Sequence, residues 1–361
     1  MKGSARELTA EPLRQALADA LRDRRGRPGR ALLLGKYGNG NSGDEAILAG
    51  LIDLSSDPTR LTVVTRNPKE IARLHNVAAT RTVSMGGIVS FLRSDALCVG
   101  GGGMFGRGLP PLVGLLPLVL LVGRFLRKEI YFLALGAYSD TPEPVRTLLR
   151  LVARVARAVT VRDEESVQML NDGMARGVRP VLVPDPAVEL APAPPAKVLE
   201  LLASHADRPL VVSIKALPDT ELLDHSLSVL AQAVRACALA RKAPVVLLCL
   251  SARADYGLGP EWSDPVLADL FCRKADLPYA PLIVGPDLPP RLAKGVVAQA
   301  RGVVGMRLHA QIFAVATGAP LIGLTFEAKT ESWLRAHQVP SLPVRDMTAE
   351  NLTDLMLQTI P

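Results

Sequence analysis

The chain has 361 residues, 48% of them hydrophobic and 21% charged, which excludes a disordered chain and leaves room for two cores of roughly 150–200 residues each. A formal charge of +7 favours anionic partners such as phosphates, acidic lipids or nucleic acid without choosing among them, and a background of arginine with no function is equally compatible. The four cysteines form no CxxC pair, so they are expected as reduced core thiols of a cytoplasmic protein rather than a disulfide frame or a metal site.

In chain order, residues 1–28 are predicted to form an N-terminal helix followed by the basic loop Arg22–Arg30. Met1–Leu21 lacks the continuous apolar run of a signal peptide. Ala31–Leu34 is a short buried strand, and Ser42-Gly-Asp-Glu45 fits a capping box opening a helix to about Leu54. Strands follow at Leu61–Thr65, Ala96–Val99, Ile130–Leu135 and Val159–Val161. Leu109–Leu126 is apolar but broken by prolines, glycines and Arg124. It is too interrupted for a membrane span of about 20 residues, and a buried helix is preferred to a hydrophobic lip. Val145–Val159 is predicted as a helix with an apolar stripe at Leu148, Leu149, Val152 and Val155. Its other face carries Arg146, Arg150, Arg154 and Arg157, either solvated or facing acidic lipid.

The Pro-rich Ala191–Pro195 is the expected domain boundary, after which the pattern restarts with strands at Leu210–Ile214, Val245–Leu250, Gly302–Val304 and Leu321–Thr325 and a helix over Leu223–Ala238. Apolar strands alternating with helices imply α/β architecture: two Rossmann-like domains with parallel sheets, facing a central cleft. The predicted divisions are 1–30 (N-terminal helix and basic loop), 31–190, 207–345 and 346–361 (C-terminal helix).

In such sheets ligands bind beyond the carboxyl ends of the strands, so the residues following each strand are the candidates. After Leu34 comes a loop containing Gly38, Asn39, Asn41, Gly43 and Asp44, whose glycines allow close backbone approach and whose helix start offers free amides. A purely structural turn is the competing reading. After Val99 come four glycines, Gly100, Gly101, Gly102 and Gly103, placed where a strand meets a helix. Arg162 ends the next strand and could clamp a carboxylate or phosphate, or could pair with Asp163 or Asp185. Arg307 and His309 flank a helix start after Val304, and Lys329 follows the strand after that. A histidine in such a place suits proton transfer near neutral pH. No metal-ligand cluster is apparent, and neither a motif nor an aromatic platform supports nucleic-acid binding.

Taken in order, Gly38-Asn-Gly-Asn-Ser-Gly-Asp-Glu45, Gly100–Gly103, Val161-Arg-Asp-Glu-Glu-Ser166, Asp185-Pro-Ala187, Gly305-Met-Arg-Leu-His309 and Lys329 resemble the polysaccharide pyruvyl transferase family, especially its bacterial cell-wall members. The resemblance implies a GT-B-like fold. It implies transfer of a pyruvyl group from phosphoenolpyruvate, as co-substrate and with no further cofactor, to a sugar of a cell-surface polymer or its lipid-linked precursor. The products are a pyruvate ketal and phosphate. Family catalytic positions fall on Arg162, His309 and Lys329, with Arg307 as a neighbour; Asp185 could assist an acceptor hydroxyl or serve as the partner of an arginine. A lipid-linked acceptor would place the protein at the inner membrane face, in peripheral contact. The chain departs from the family pattern at Lys215, where an Arg is usual, and at Phe326-Glu-Ala-Lys329, where Tyr-Asp-Pro-Lys is usual. A sugar-nucleotide glycosyltransferase of the same fold and a non-catalytic polymer-binding protein are the alternatives.

Overall fold

The structure is a computed structural model that describes residues 8–106, 109–172 and 178–361, apart from the side chains of Ala328 and Lys329. The chain divides into two compact units. The first comprises residues up to Asn39 together with Asp44–Leu190; the second comprises Gly40–Gly43 and Ala191–Pro361.

In the first unit the strands are β1 (Ala31–Leu34), β2 (Leu61–Thr65), β3 (Ala78–Arg81), β4 (Ala96–Phe105), β5 (Glu129–Ala137), β6 (Ala158–Val161) and β7 (Val181–Leu182). They form one seven-stranded sheet in the order β3-β2-β1-β4-β5-β6-β7, parallel throughout. The second unit has β8 (Leu210–Ser213), β9 (Val245–Leu248), β10 (Leu282–Val284), β11 (Gly302–Gly305), β12 (Leu321–Thr325) and β13 (Ser341–Pro343), ordered β10-β9-β8-β11-β12-β13 and also parallel. The central strands read as unbroken apolar runs because helices cover both faces of such a sheet. Leu97, Val99, Phe132 and Leu149 belong to the core of the first unit; Val212, Leu230, Phe271 and Ile322 belong to that of the second. The strand order reverses direction between β1 and β4 in one sheet and between β8 and β11 in the other. Ligand crevices open at such points in doubly wound sheets.

Several expectations change. The glycine quartet does not follow a strand but lies inside β4, which continues to Phe105. No side chain fits there: a Cβ on Gly100 would lie 2.0 Å from the carbonyl oxygen of Leu133 on β5. Gly101 and Gly102 have φ of +80° and +88°, a region costly to any residue with a Cβ. The helix expected over Val145–Val159 ends at Val155, since Ala158 onward joins the sheet as β6. Of its expected stripe, Val155 is exposed, while Leu149 and Val152 are buried with Ala153. The N-terminal helix spans Glu11–Ala20; residues 1–7 lie outside those described. The capping box at Ser42 is not made. Ser42 is itself helical and its hydroxyl donates to the Pro286 carbonyl (2.8 Å), while Glu45 takes the Gly38 N–H (2.6 Å) and contacts His75 Nε2 (2.7 Å).

The apolar stretch 109–126 is not a buried helix. It forms a short turn of helix, Pro111–Gly114, and then Leu116–Phe125, which buries Leu116, Leu120 and Gly123 on one side and leaves large apolar side chains exposed on the other. Among the described residues no helix is long and apolar enough to cross a membrane.

Candidate functional site

At the switch point of the first sheet, the chain leaves β1 through Lys36 and Tyr37. Lys36 Nζ donates to the Gly103 carbonyl (2.8 Å), and the buried Tyr37 hydroxyl donates to the Gly100 carbonyl (2.5 Å), so both side chains reach across onto β4. Asp44, in the first turn of the helix Ser42–Leu54, lies against the same strand. A Cβ added to Gly102 would sit 2.9 Å from Asp44 Oδ1. Burial pushes the Asp44 carboxyl up to about 7, against the pull of the nearby Lys36 and Arg162 cations and with the help of Glu45 and Asp185.

Arg162 follows β6 and is almost fully buried. Its Nη1 donates to Asp185 Oδ2 (2.9 Å), its Nη2 donates to the Tyr138 hydroxyl (2.9 Å), and its Nε lies 3.7 Å from Asp163 Oδ2. Burial alone would lower the guanidinium's pKa; Tyr138, Asp185 and Asp163 outweigh it and hold the side chain charged. Asp185 Oδ1 accepts the Ala187 N–H (3.0 Å) and so starts the short helix Pro186–Glu189. The pairing of Arg162 with both aspartates, one of the two readings open from spacing, is therefore present. The structure thus brings together Lys36, Asp44, Gly102, Gly103, Tyr138, Arg162 and Asp185 in the first unit.

At the switch point of the second sheet, Arg307 caps the helix Leu308–Thr317 after β11. Its guanidinium is buried against two acids. Nε donates to Asp264 Oδ2 (3.0 Å), Nη2 also bonds Asp264, and Nη1 lies 2.5 Å from Asp255 Oδ2. Asp264 Oδ2 additionally accepts the backbone N–H groups of Leu250 and Ser251, both at 3.0 Å. Burial raises the Asp264 carboxyl, partly offset by Arg307 and these amides; Arg307 is held charged, its two acids outweighing its own burial. Through these two acids Arg307, a candidate for substrate binding, also anchors the loop after β9.

That loop in turn holds residues 40–43. Asn41 pairs with Ser251, the Ser42 N–H donates to the Leu250 carbonyl (2.8 Å), and the Ala252 N–H donates to the Gly40 carbonyl (2.8 Å). Asn41 Oδ1 accepts the Gly43 N–H (2.9 Å), and Gly43 lies against the imidazole of His309. Within the second unit, Gly40–Gly43 and the Arg307/His309 motif are thus joined through Asp264 and the loop after β9. Asn39 stays with the first unit, its amide donating to the Lys36 carbonyl (2.9 Å). Lys329 is the second residue of the helix Ala328–Ala336; its side chain lies outside the described ones. Lys215 after β8 forms an ion pair with Glu327 (3.2 Å).

Sequence reasoning passed over Lys36, Tyr138, Asp255 and Asp264. Lys36 and Tyr138 each follow a strand, β1 and β5, so inspection of every strand end would have found them. Asp264 and Asp255 carry no local signal, because their partner is 43 residues away in one case and 52 in the other, 307 − 264 and 307 − 255. Among the described residues no three His, Cys, Asp or Glu side chains are grouped to hold a metal ion.

The family model described as polysaccharide pyruvyl transferase matches residues 41–327. No curated protein matches the chain in sequence. Solved structures of similar fold include a candidate UDP-N-acetylglucosamine 2-epimerase from Listeria monocytogenes, with 13% identity, 92% of this chain and 88% of that one covered, and a TM-score of 0.62. The UDP-GlcNAc 2-epimerase from Methanocaldococcus jannaschii is 12% identical over 91% of this chain and 92% of its own, with a TM-score of 0.59. UGT2 of Phytolacca americana, solved with UDP-2fluoro-glucose and pterostilbene, is 11% identical over 92% and 90%, with a TM-score of 0.51. At these identities the likeness concerns fold alone: α/β, two parallel Rossmann-like sheets, GT-B-like.

Proposed function

Because the chain belongs to the polysaccharide pyruvyl transferase family, we propose that it transfers the pyruvyl group of phosphoenolpyruvate to two hydroxyls of one sugar in a cell-surface polysaccharide or its lipid-linked precursor. The observation that carries this reading is the family match across residues 41–327, which spans the buried acid Asp44, the cation Arg162 after β6 and the histidine after β11.

The chemistry asks for those groups. A proton adds to the methylene carbon of the enol phosphate and leaves a cationic C2. One sugar hydroxyl adds there, the C2–O bond to phosphate breaks, and the second hydroxyl closes the ketal. Of the two hydroxyl protons, one replaces the proton that the acid delivered to the new methyl group and the other leaves with phosphate. His309 is assigned the proton transfer to carbon. Arg162, Lys36 and Lys329 are assigned to the donor's carboxylate and phosphate, where fixed cations stabilise the leaving group. Asp44, near half-ionised at neutral pH, is suited to accept a proton from an acceptor hydroxyl. Arg307 acts through position, fixing the loop that carries Gly43 to His309.

The test is phosphate release from phosphoenolpyruvate over a panel of soluble and lipid-linked sugar acceptors. Release should require an acceptor and fall about 10²–10⁴-fold in His309→Gln. Absence of release, together with thermal stabilisation by a nucleotide sugar and not by phosphoenolpyruvate, would transfer the assignment to a sugar-nucleotide glycosyltransferase.

A further inference from the structure

Of the twenty large apolar side chains that stand exposed among the described residues, twelve fall between Val83 and Leu126. They are ordered, not scattered. On the helix Met85–Arg93, which buries no residue, Met85, Ile88, Val89 and Leu92 recur at the spacing of one helical face, and that face points outward. On the helix Leu116–Phe125, Leu118, Val119, Val122 and Phe125 are exposed opposite the buried Leu116, Leu120 and Gly123. A helix that is apolar all round but has only one side covered by protein needs a second apolar medium. Phe125 is 86% exposed, the most of any large apolar side chain among the described residues.

The two helices end side by side. Lys128, just past Phe125, donates to the carbonyls of Leu92 (3.2 Å) and Ser94 (2.6 Å), and its ammonium lies 5.2 Å from the Phe91 ring centre. The exposed charges carried by the stretch from Arg81 to Arg127 have one sign. Arg81, Arg93, Arg124 and Arg127 are all exposed. The single acid between Arg81 and Arg127 is Asp95, whose carboxylate accepts the Arg30 N–H (2.9 Å).

We propose that the paired helices Met85–Arg93 and Leu116–Phe125 dock this unit onto an anionic lipid bilayer, their apolar faces entering the acyl boundary and their arginines meeting the headgroups. Charge decides for this occupant: a second copy of the chain would set these arginines against their own duplicates. On the neighbouring helix Glu143–Val155, Arg146 pairs with Glu143 and Arg150 with Asp172, so these two are engaged within the protein. The inference stands apart from the pyruvyl-transfer reading and holds whether or not that reading survives.

Co-sedimentation with vesicles tests it, using phosphatidylglycerol in phosphatidylcholine against phosphatidylcholine alone. The wild-type protein is expected to pellet with the anionic vesicles, and the triple replacement Leu118→Ser, Val122→Ser, Phe125→Ser to lose about tenfold or more in binding, with an unchanged thermal midpoint. Arg124→Glu with Arg127→Glu should weaken binding to anionic vesicles only. If the triple variant misfolds, Ile88→Ser with Leu92→Ser on the other helix asks the same question. A wild-type protein that stays in the supernatant overturns the proposal, as does a folded variant that pellets equally well. So does a wild-type dimer that the serine variants split.

Discussion

Gly43 is packed directly on the imidazole of His309: a Cβ at position 43 would lie 2.1 Å from Nδ1 and 2.5 Å from Cγ of the ring. No real contact is that short, so any other residue there must move the histidine, the helix start that carries it, or the segment of residues 40–43. Gly43 is therefore part of how His309 is aimed.

Gly43→Ala should cut kcat/KM for phosphate release about 10²-fold through misplacement of the ring, with roughly 1–3 kcal/mol lost in stability from the overpacking. Gly285→Ala is the matching control, since a Cβ there meets nothing within 4 Å. Equal losses in both variants would remove the special role of position 43.

Arg162 holds two aspartates and a tyrosine in a buried place, so Arg162→Met should destabilise the protein by about 3–5 kcal/mol, mostly by leaving Asp185 unpaired. The double replacement Arg162→Met, Asp185→Leu removes both charges and should recover much of the thermal midpoint. Activity separates the roles. If Arg162 meets the substrate anion, the double variant stays inactive although it is folded; if Arg162 serves only as a partner of Asp185, activity returns with stability.

Asp44 makes stability depend on pH. Its folded-state pKa, about 7, is raised above the usual carboxylate value. Below pH 4 both folded and unfolded states are protonated there and the group has no net effect. Between about 4 and 7 the unfolded chain releases the proton and the folded protein keeps it, so the group's contribution falls as pH rises and is flat above 7. The thermal midpoint of Asp44→Asn minus that of the wild type should therefore grow from pH 4 to pH 7 and then level. A difference that is constant over this range would show that Asp44 titrates normally.

The buried strands β1, β2, β4, β5, β6, β8, β9, β11 and β12 are legible because burial on both faces writes them as apolar runs such as Leu61–Thr65 and Leu321–Thr325. The strands β3, β7, β10 and β13 escape because they lie toward the sheet edges and are short and half-covered, as in Ala78–Arg81. Arg162 and His309 are legible as residues at strand ends, but what holds them is not. Tyr138 meets Arg162 from just past the neighbouring strand β5, and Asp264 meets Arg307 from the start of the distant helix Asp264–Ala275. The two departures from the family pattern meet in the fold: Lys215 Nζ is 3.2 Å from Oε1 of Glu327, in the Phe326-Glu-Ala-Lys329 segment, which also accepts the Tyr256 hydroxyl (2.6 Å), so the cation and the acid form a pair that only the folded chain brings together.

The four residues Gly40–Gly43 belong to the second unit although nearly 150 residues of the first unit separate them from the rest of it, 44–190 being the intervening stretch. The division of this protein is therefore not colinear with its chain. A fragment beginning at Ala191 would carry the whole β8–β13 sheet yet leave the carbonyls of Leu250 and Pro286 and the amide of Ala252 without the strap that satisfies them. No single cut yields both units whole, and a gene split for separate expression would have to supply the tetrapeptide in trans.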